Sequence, residues 1–158
     1  SNYIDGISED TKKDSTIIID KHGKIIDIKE GFLNPEDHDY YDLTQYTVMP
    51  GLMDMHVHFG GEYQSKAERP VKVERETEAI LATVHAETTL NAGFTTVRQV
   101  GDSGYVSISL RDVTNKGIVK GPRIFSSGKS IATTGGHADP TNGKAIDEIM
   151  TILFLKMV

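Results

Sequence analysis

The stretch Pro50-Gly51-Leu52-Met53-Asp54-Met55-His56-Val57-His58-Phe59 decides how this chain is read. In an extended strand, successive side chains point to opposite faces. Met53, Met55, Val57 and Phe59 then share an apolar face, while Asp54, His56 and His58 share an ionisable one. Such a strand packs its apolar face against helices and turns a carboxylate and two imidazoles toward a cavity. Imidazole is the commonest nitrogen ligand for zinc and related divalent ions, so the pattern points to a metal centre. An H-x-H triplet on its own is short and arises incidentally. Here Pro50-Gly51 punctuates the chain just before the strand. A buried face also rarely accepts three ionisable groups unless they are paired or bound to metal.

The same residues resemble the P-G-(apolar)-(apolar)-D-x-H-x-H signature of the amidohydrolase superfamily, metal-dependent hydrolases built on a (β/α)8 barrel. The likeness continues through GFTTVRQVGDSG (Gly93 to Gly104) and GPRIFSSGKSIATTGGHADP (Gly121 to Pro140). It resembles the imidazolonepropionase-related branch and, within it, enzymes described as Xaa-Pro dipeptidases or prolidase-like carboxypeptidases. It runs from about Tyr3 to Ala145. Its motifs are specific for the superfamily and less so for the substrate.

The resemblance implies a site. His56 and His58 correspond to the histidines after the first barrel strand and would bind a divalent metal, zinc first, with one or two ions in the full-length enzyme. A lysine after strand 4, histidines after strands 5 and 6 and an aspartate after strand 8 complete the family's site, and none of these lies within this chain. In the family the metal activates a water and polarises the scissile carbonyl, and the aspartate moves the proton. The chain alone is therefore expected to hydrolyse nothing. Asp54 is a candidate for fixing an imidazole from behind, or for a plain structural hydrogen bond. His137, in TTGGHAD beyond the third strand, is the leading candidate for substrate contact, because active sites gather at the C-terminal face of such barrels. Its bland reading is a loop histidine capping a turn. Tyr63, and after it Gln64, are weaker candidates for lining the pocket. His85 falls near the apolar side of a helix and reads as part-buried and hydrogen-bonded. Arg98 reads as an inward or structural ion-pairing residue. The branch often has an acid where this chain has Gln99.

Composition sets the outer bounds. The 158 residues suffice for one ordinary domain with a sizeable core. With 37% apolar and 25% charged residues the chain reads as globular. A net charge of −6 argues against a nucleic-acid or anionic-membrane surface. The absence of cysteine excludes disulfides and thiolate metal sites. No apolar run approaches the roughly 20 residues that span a bilayer, and no signal peptide is visible, which leaves the compartment open. The expected partner is a small-molecule or dipeptide substrate. Homo-oligomerisation of a full-length enzyme stays open.

Two regions separate along the chain. Residues 1–48 read as all-β, the start of a small β-sandwich. Thr16 to Ile19 and Lys24 to Ile28 are β-branched runs joined by Asp20-Lys21-His22-Gly23, a hairpin signal. His22 in that turn and His38 in the loop around Asn34 to Asp37 read as solvated. Residues 49–148 alternate. After the H-x-H strand comes a helix from about Val71 to Ala92, with Ile80, Leu81, Val84 and Thr88 on its apolar side and Gly93 closing it. A strand over Thr95 to Val100 follows, then a helix capped by Asp102 or Ser103 and ending near Gly117. The last strand is Arg123 to Ser127. This order implies parallel strands with helical crossovers.

A complete (β/α)8 barrel needs eight strands and about 250 residues. The expected architecture is thus the first three strands of such a barrel, preceded by part of a β-sandwich. Open edges would make it poorly soluble or only partly ordered. Residues 149–158 read as an aberrant apolar tail. The resembling enzymes tend to carry an Asp-Tyr-Asp-Tyr-Pro-like run there. Codons GAT TAT GAC TAT CCT read one base later give Ile-Met-Thr-Ile-Leu, the residues from Ile149 to Leu153. A frameshift or gene-model error is the expectation, an apolar helix the alternative. Three functions follow: part of a C–N hydrolase of the Xaa-Pro dipeptidase kind, an imidazolonepropionase-like or deaminase reaction, or an inactive truncated product.

Overall fold

The computed structural model describes residues 1–33, 39–60, 75–102, 104–139, 141 and 143–145. Tyr63, Gln64, His38, the loop from Asn34 to Asp37 and the tail of residues 149–158 lie outside them. The chain divides into two compact units, residues 1–51 and 52–158.

In the first unit β1 (Asn2–Tyr3) pairs in parallel with β4 (Thr47–Val48). The expected hairpin is present as β2 (Ser15–Ile19) and β3 (Ile25–Glu30), antiparallel, with an irregularity between Ile18 and Ile19. Its turn is set locally. Asp20 Oδ1 accepts the backbone N–H groups of His22 and Lys24, each at 2.9 Å. Gly23 takes φ +79°, a conformation cheap only for glycine. His22 is exposed, as expected of a turn residue.

The second unit is α/β. Its elements are β5 (Leu52–Val57), α1 (Arg75–Asn91), β6 (Phe94–Gln99), α2 (Val106–Asn115) and β7 (Arg123–Ser126). The three strands form one parallel sheet in the order β5-β6-β7. Parallel neighbours need long crossovers, which the helices supply. The core joins Phe59, Val97 and Ile124 to Ala82 and Ala86 of α1 and to Val106 and Leu110 of α2. Among the described residues, no helix is long and apolar enough to cross a membrane.

Two sequence expectations need correction. The first is strict alternation along the decapeptide. Met53 lies beside Thr96, Asp54 beside Val97 and Val57 beside Gln99, with a register shift between Asp54 and Val57. Three steps on β5 thus match two on β6, which is a β-bulge. Asp54 and Val57 therefore share the face of Val97 and Gln99, and Met53 takes the opposite one. The local cause is Asp54 itself, whose Oδ1 accepts the His56 backbone N–H at 2.9 Å. A carboxylate that captures a nearby backbone donor competes with the sheet ladder.

The second correction concerns α1. Its buried residues are Glu78, Ala82 and Ala86, whereas Ile80 and Val84 are 68% and 56% exposed. Size explains the choice at Ala82 and Ala86. Alanines let the helix axis come close to the chain beneath it, so closely that a Cβ added at Gly121 would lie 3.0 Å from the Ala86 Cβ. A stripe of larger aliphatics would hold the helix away.

The helix ends are close to expectation. Gly93 follows α1 at φ +95° and its N–H bonds the Leu90 carbonyl at 2.9 Å. Before α2 the N-cap is Tyr105, left-handed at φ 60° and without a side-chain cap bond. Asp102 does the capping from three residues upstream. Its carboxylate accepts the N–H groups of Gly104, Tyr105 and Ser107 and the Ser107 hydroxyl. Gly117 closes α2 at φ +68°.

Candidate metal centre

β5 ends at Val57, and His58 and Phe59 continue past the C-terminal edge of the sheet. The described hydrogen bonds of His58 and Phe59 reach distant parts of the chain. His58 Nδ1 lies 2.9 Å from the Gly101 carbonyl, beyond the end of β6. A carbonyl only accepts, so Nδ1 carries the proton, which in a neutral imidazole puts the lone pair on Nε2. This is the arrangement in which a histidine binds metal through one nitrogen while the other is held by a backbone carbonyl. The Phe59 N–H donates to Gln99 Oε1 at 3.3 Å, and the Phe59 carbonyl accepts from His85 Nδ1 at 2.8 Å. The Phe59 ring is buried in the core at 3% exposure. His85 is part-buried and hydrogen-bonded, as its helical position implied.

The His56 and His58 rings are exposed and meet edge to face, with centroids 5.3 Å apart and planes inclined by 70°. Two imidazoles on one tetrahedral ion, with Zn–N about 2.0–2.1 Å, put their centroids about 5 Å apart. The centroid spacing of the pair is that of two imidazoles on one ion. Among the described residues, no group of three or more His, Asp or Glu side chains is placed to hold a metal. Asp54, whose described bond is to the His56 backbone, does not add a third ligand.

Gly101 is built into this corner. A Cβ there would meet Ser130 Oγ at 1.8 Å and Ser130 Cα at 2.9 Å, so only glycine lets the two segments pass. Its carbonyl takes a second donor, Gln99 Nε2 at 3.2 Å. Gln99 itself is fully buried. In the sequence Gln99 is marked only as standing where the resembling branch often has an acid. One signal was available: a polar side chain two positions from Val97, on the covered side of the same strand.

Neither His137 nor Arg98 makes a described contact with the pair. His137 is exposed on the loop after β7, and among the described residues no hydrogen bond or ring contact joins it to His56 or His58. Its loop is organised by Asp139. The carboxylate accepts the N–H of Gly135 at 2.7 Å, of Thr141 at 2.9 Å and of Gly143 at 3.0 Å, together with the Thr141 hydroxyl at 2.7 Å. Those donors, Gly135 first, hold the Asp139 pKa down to about 2. Arg98 is exposed, and it lines an open cavity at the β7 edge with Arg111 and Arg123; among the described residues it makes no ion pair.

The model of the amidohydrolase family matches residues 47–155, from just before the H-x-H strand onward. The chain belongs to this family. Members generally use divalent metal ions and adopt the (β/α)8 barrel. The chain is 64% identical to a Xaa-Pro dipeptidase whose crystal structure holds methionine in the active site, with a TM-score of 0.82 over 92% of this chain. A prolidase complexed with N-methylphosphonate-L-proline is 32% identical, with a TM-score of 0.62 over 72% of this chain. The ochratoxinase of Aspergillus niger is 33% identical over 95 residues, 58% of this chain. The chain spans 36% of the dipeptidase chain, 27% of the prolidase chain and 19% of the ochratoxinase.

Proposed function

We propose that this chain is the N-terminal part of a metal-dependent amidohydrolase that cleaves a C–N bond, with Xaa-Pro dipeptides as the substrate class. The observation that carries this reading is the His58 ring. Its Nδ1 proton is committed to the Gly101 carbonyl, which leaves Nε2 as the metal-binding nitrogen, and its ring lies beside the His56 ring. His56 and His58 would hold a divalent ion, zinc by ligand preference, since two neutral imidazoles suit it. Bound there, the ion would lower the pKa of a water and polarise a carbonyl.

The chain's own residues have positioning tasks. Asp54 shapes the bulge that sets His56 at the end of the strand. Phe59 anchors the segment in the core. His137, on the loop organised by Asp139, and Tyr63 are proposed to contact a small-molecule or dipeptide substrate. The 64% identity to a Xaa-Pro dipeptidase supports that substrate class. In this reading residues 1–48 begin a β-sandwich, residues 49–148 supply the first three barrel strands, and residues 149–158 add nothing to the site. The proton-transferring group and the remaining ligands come from outside the chain, so the chain alone turns over no substrate.

A chimera tests this. Residues 1–145 replace the equivalent third of the 64% identical dipeptidase. It is expected to hydrolyse Xaa-Pro dipeptides, and His56→Ala is expected to cost at least about 100-fold in kcat/KM, the upper end of what losing a group behind a ligand costs. A folded chimera whose activity survives His56→Ala would refute the assignment.

A further inference from the structure

We propose that Gln99 is a positioning residue for the metal pair, acting through the Gly101 carbonyl to fix both the place and the tautomer of His58. The inference rests on the reading of His58 as a metal ligand and adds a residue to it. Gln99 is the largest fully buried side chain of the described residues. Its amide is used at both ends. Oε1 accepts the Phe59 N–H at 3.3 Å, and Nε2 donates to the Gly101 carbonyl at 3.2 Å. The same carbonyl accepts His58 Nδ1–H at 2.9 Å. One side chain thus holds the backbone on the far side of His58 and the acceptor that orients its ring.

The chemistry requires an amide. The Phe59 N–H needs an acceptor and the Gly101 carbonyl already accepts from His58, so the bridging group must accept at one end and donate at the other. An ionised carboxylate in the same place would face the Gly101 carbonyl lone pairs with lone pairs of its own. An apolar side chain would leave the Phe59 N–H buried without a partner. Either change would release the carbonyl from one side and loosen the ring it holds. A ring free to turn or to take the other tautomer places its proton on the metal-binding nitrogen part of the time.

The test uses the whole chain labelled with 15N. Long-range proton–nitrogen correlation spectra report the His58 tautomer, with His58→Ala identifying its signals, and zinc titration of the same samples gives the affinity. Expected are a pure Nδ1–H tautomer in the native chain, and in Gln99→Met a mixed tautomer with zinc affinity lower by about tenfold. Val97→Ala destabilises the same strand without touching the Gly101 carbonyl. It is expected to leave tautomer and affinity unchanged, which separates positioning from general loss of stability. If Gln99→Met does not fold, the native chain still decides. The Gln99 side-chain amide signals should shift on zinc addition together with the His58 ring, and fixed Gln99 signals beside a shifting His58 ring would overturn the proposal. A folded Gln99→Met with native tautomer and affinity would overturn it equally. Zinc affinity unchanged in His58→Ala would instead defeat the underlying assignment of the ligand.

Discussion

The two faces of the β5-β6-β7 sheet are made of different stuff. One, under α1 and α2, carries Val97 and Gln99 at 0% and Ile124 at 3% exposure. The other carries Met53 and Phe125, 67% and 57% exposed, beside the exposed Arg98 and Arg123. The first face is an ordinary core with one bridging amide in it. The second is neither core nor solvent face: it has too many guanidinium groups for the one and too much methionine and phenylalanine for the other. Large aliphatic and aromatic groups mixed with cations suit the inside of a closed barrel, where packing and polar chemistry share the space. This agrees with the proposed reading of these strands. The contrast teaches that fold and function are divided between faces of one sheet, and that only the fold face is satisfied by the described residues.

Substitutions can break that contrast or sharpen it. The largest effect is expected from Val97→Asp, which puts an unpaired charge between the sheet and two helices. Burial of such a charge costs several kcal/mol, enough to consume most of a small domain's stability. Circular dichroism should show the helices lost, and a folded variant would mean that the covered face is looser than described. Gly101→Ala comes next. Its Cβ would fall 2.9 Å from Ser130 Cα, and overpacking of that kind costs about 1–3 kcal/mol. Chemical denaturation should show that loss, and zinc affinity should fall with it because the carbonyl that orients His58 must move. The smallest effect is expected from Phe125→Ser on the uncovered face, within about 0.5 kcal/mol. A larger loss, rising with protein concentration, would reveal that another molecule covers this face in solution.

Much of this was legible in the sequence wherever the determinants were local. The Asp20 to Gly23 turn and the glycine after α1 follow from one or two residues each. The H-x-H pair and its punctuation by Pro50-Gly51 mark the strand whose end carries the candidate site. The bulge was not legible, because alternation is a rule about an unperturbed ladder and Asp54 perturbs it with a single hydrogen bond. The inner face of α1 departs from the apolar periodicity for a related reason. Periodicity ranks residues by apolarity, and there Ile80 and Val84 outrank Ala82 and Ala86. At Ala86 the close approach to Gly121 selects by size instead. Gln99 escaped because its value lies in joining two partners that the sequence does not place side by side.

The His58 and Phe59 segment has a consequence for the order of folding. Its three anchoring bonds reach partners 43, 40 and 26 residues away along the chain. Contacts of such separation must meet the entropy of closing long loops before they return any free energy. The two imidazoles therefore cannot be aligned in a partly folded chain that has only its hairpin and helices. Their alignment reports that β6 has docked beside β5 and α1 has closed over both. A metal ion that recognises the aligned pair would select the completed unit and pass over its precursors, making the ion a probe of when this part of the chain finishes folding.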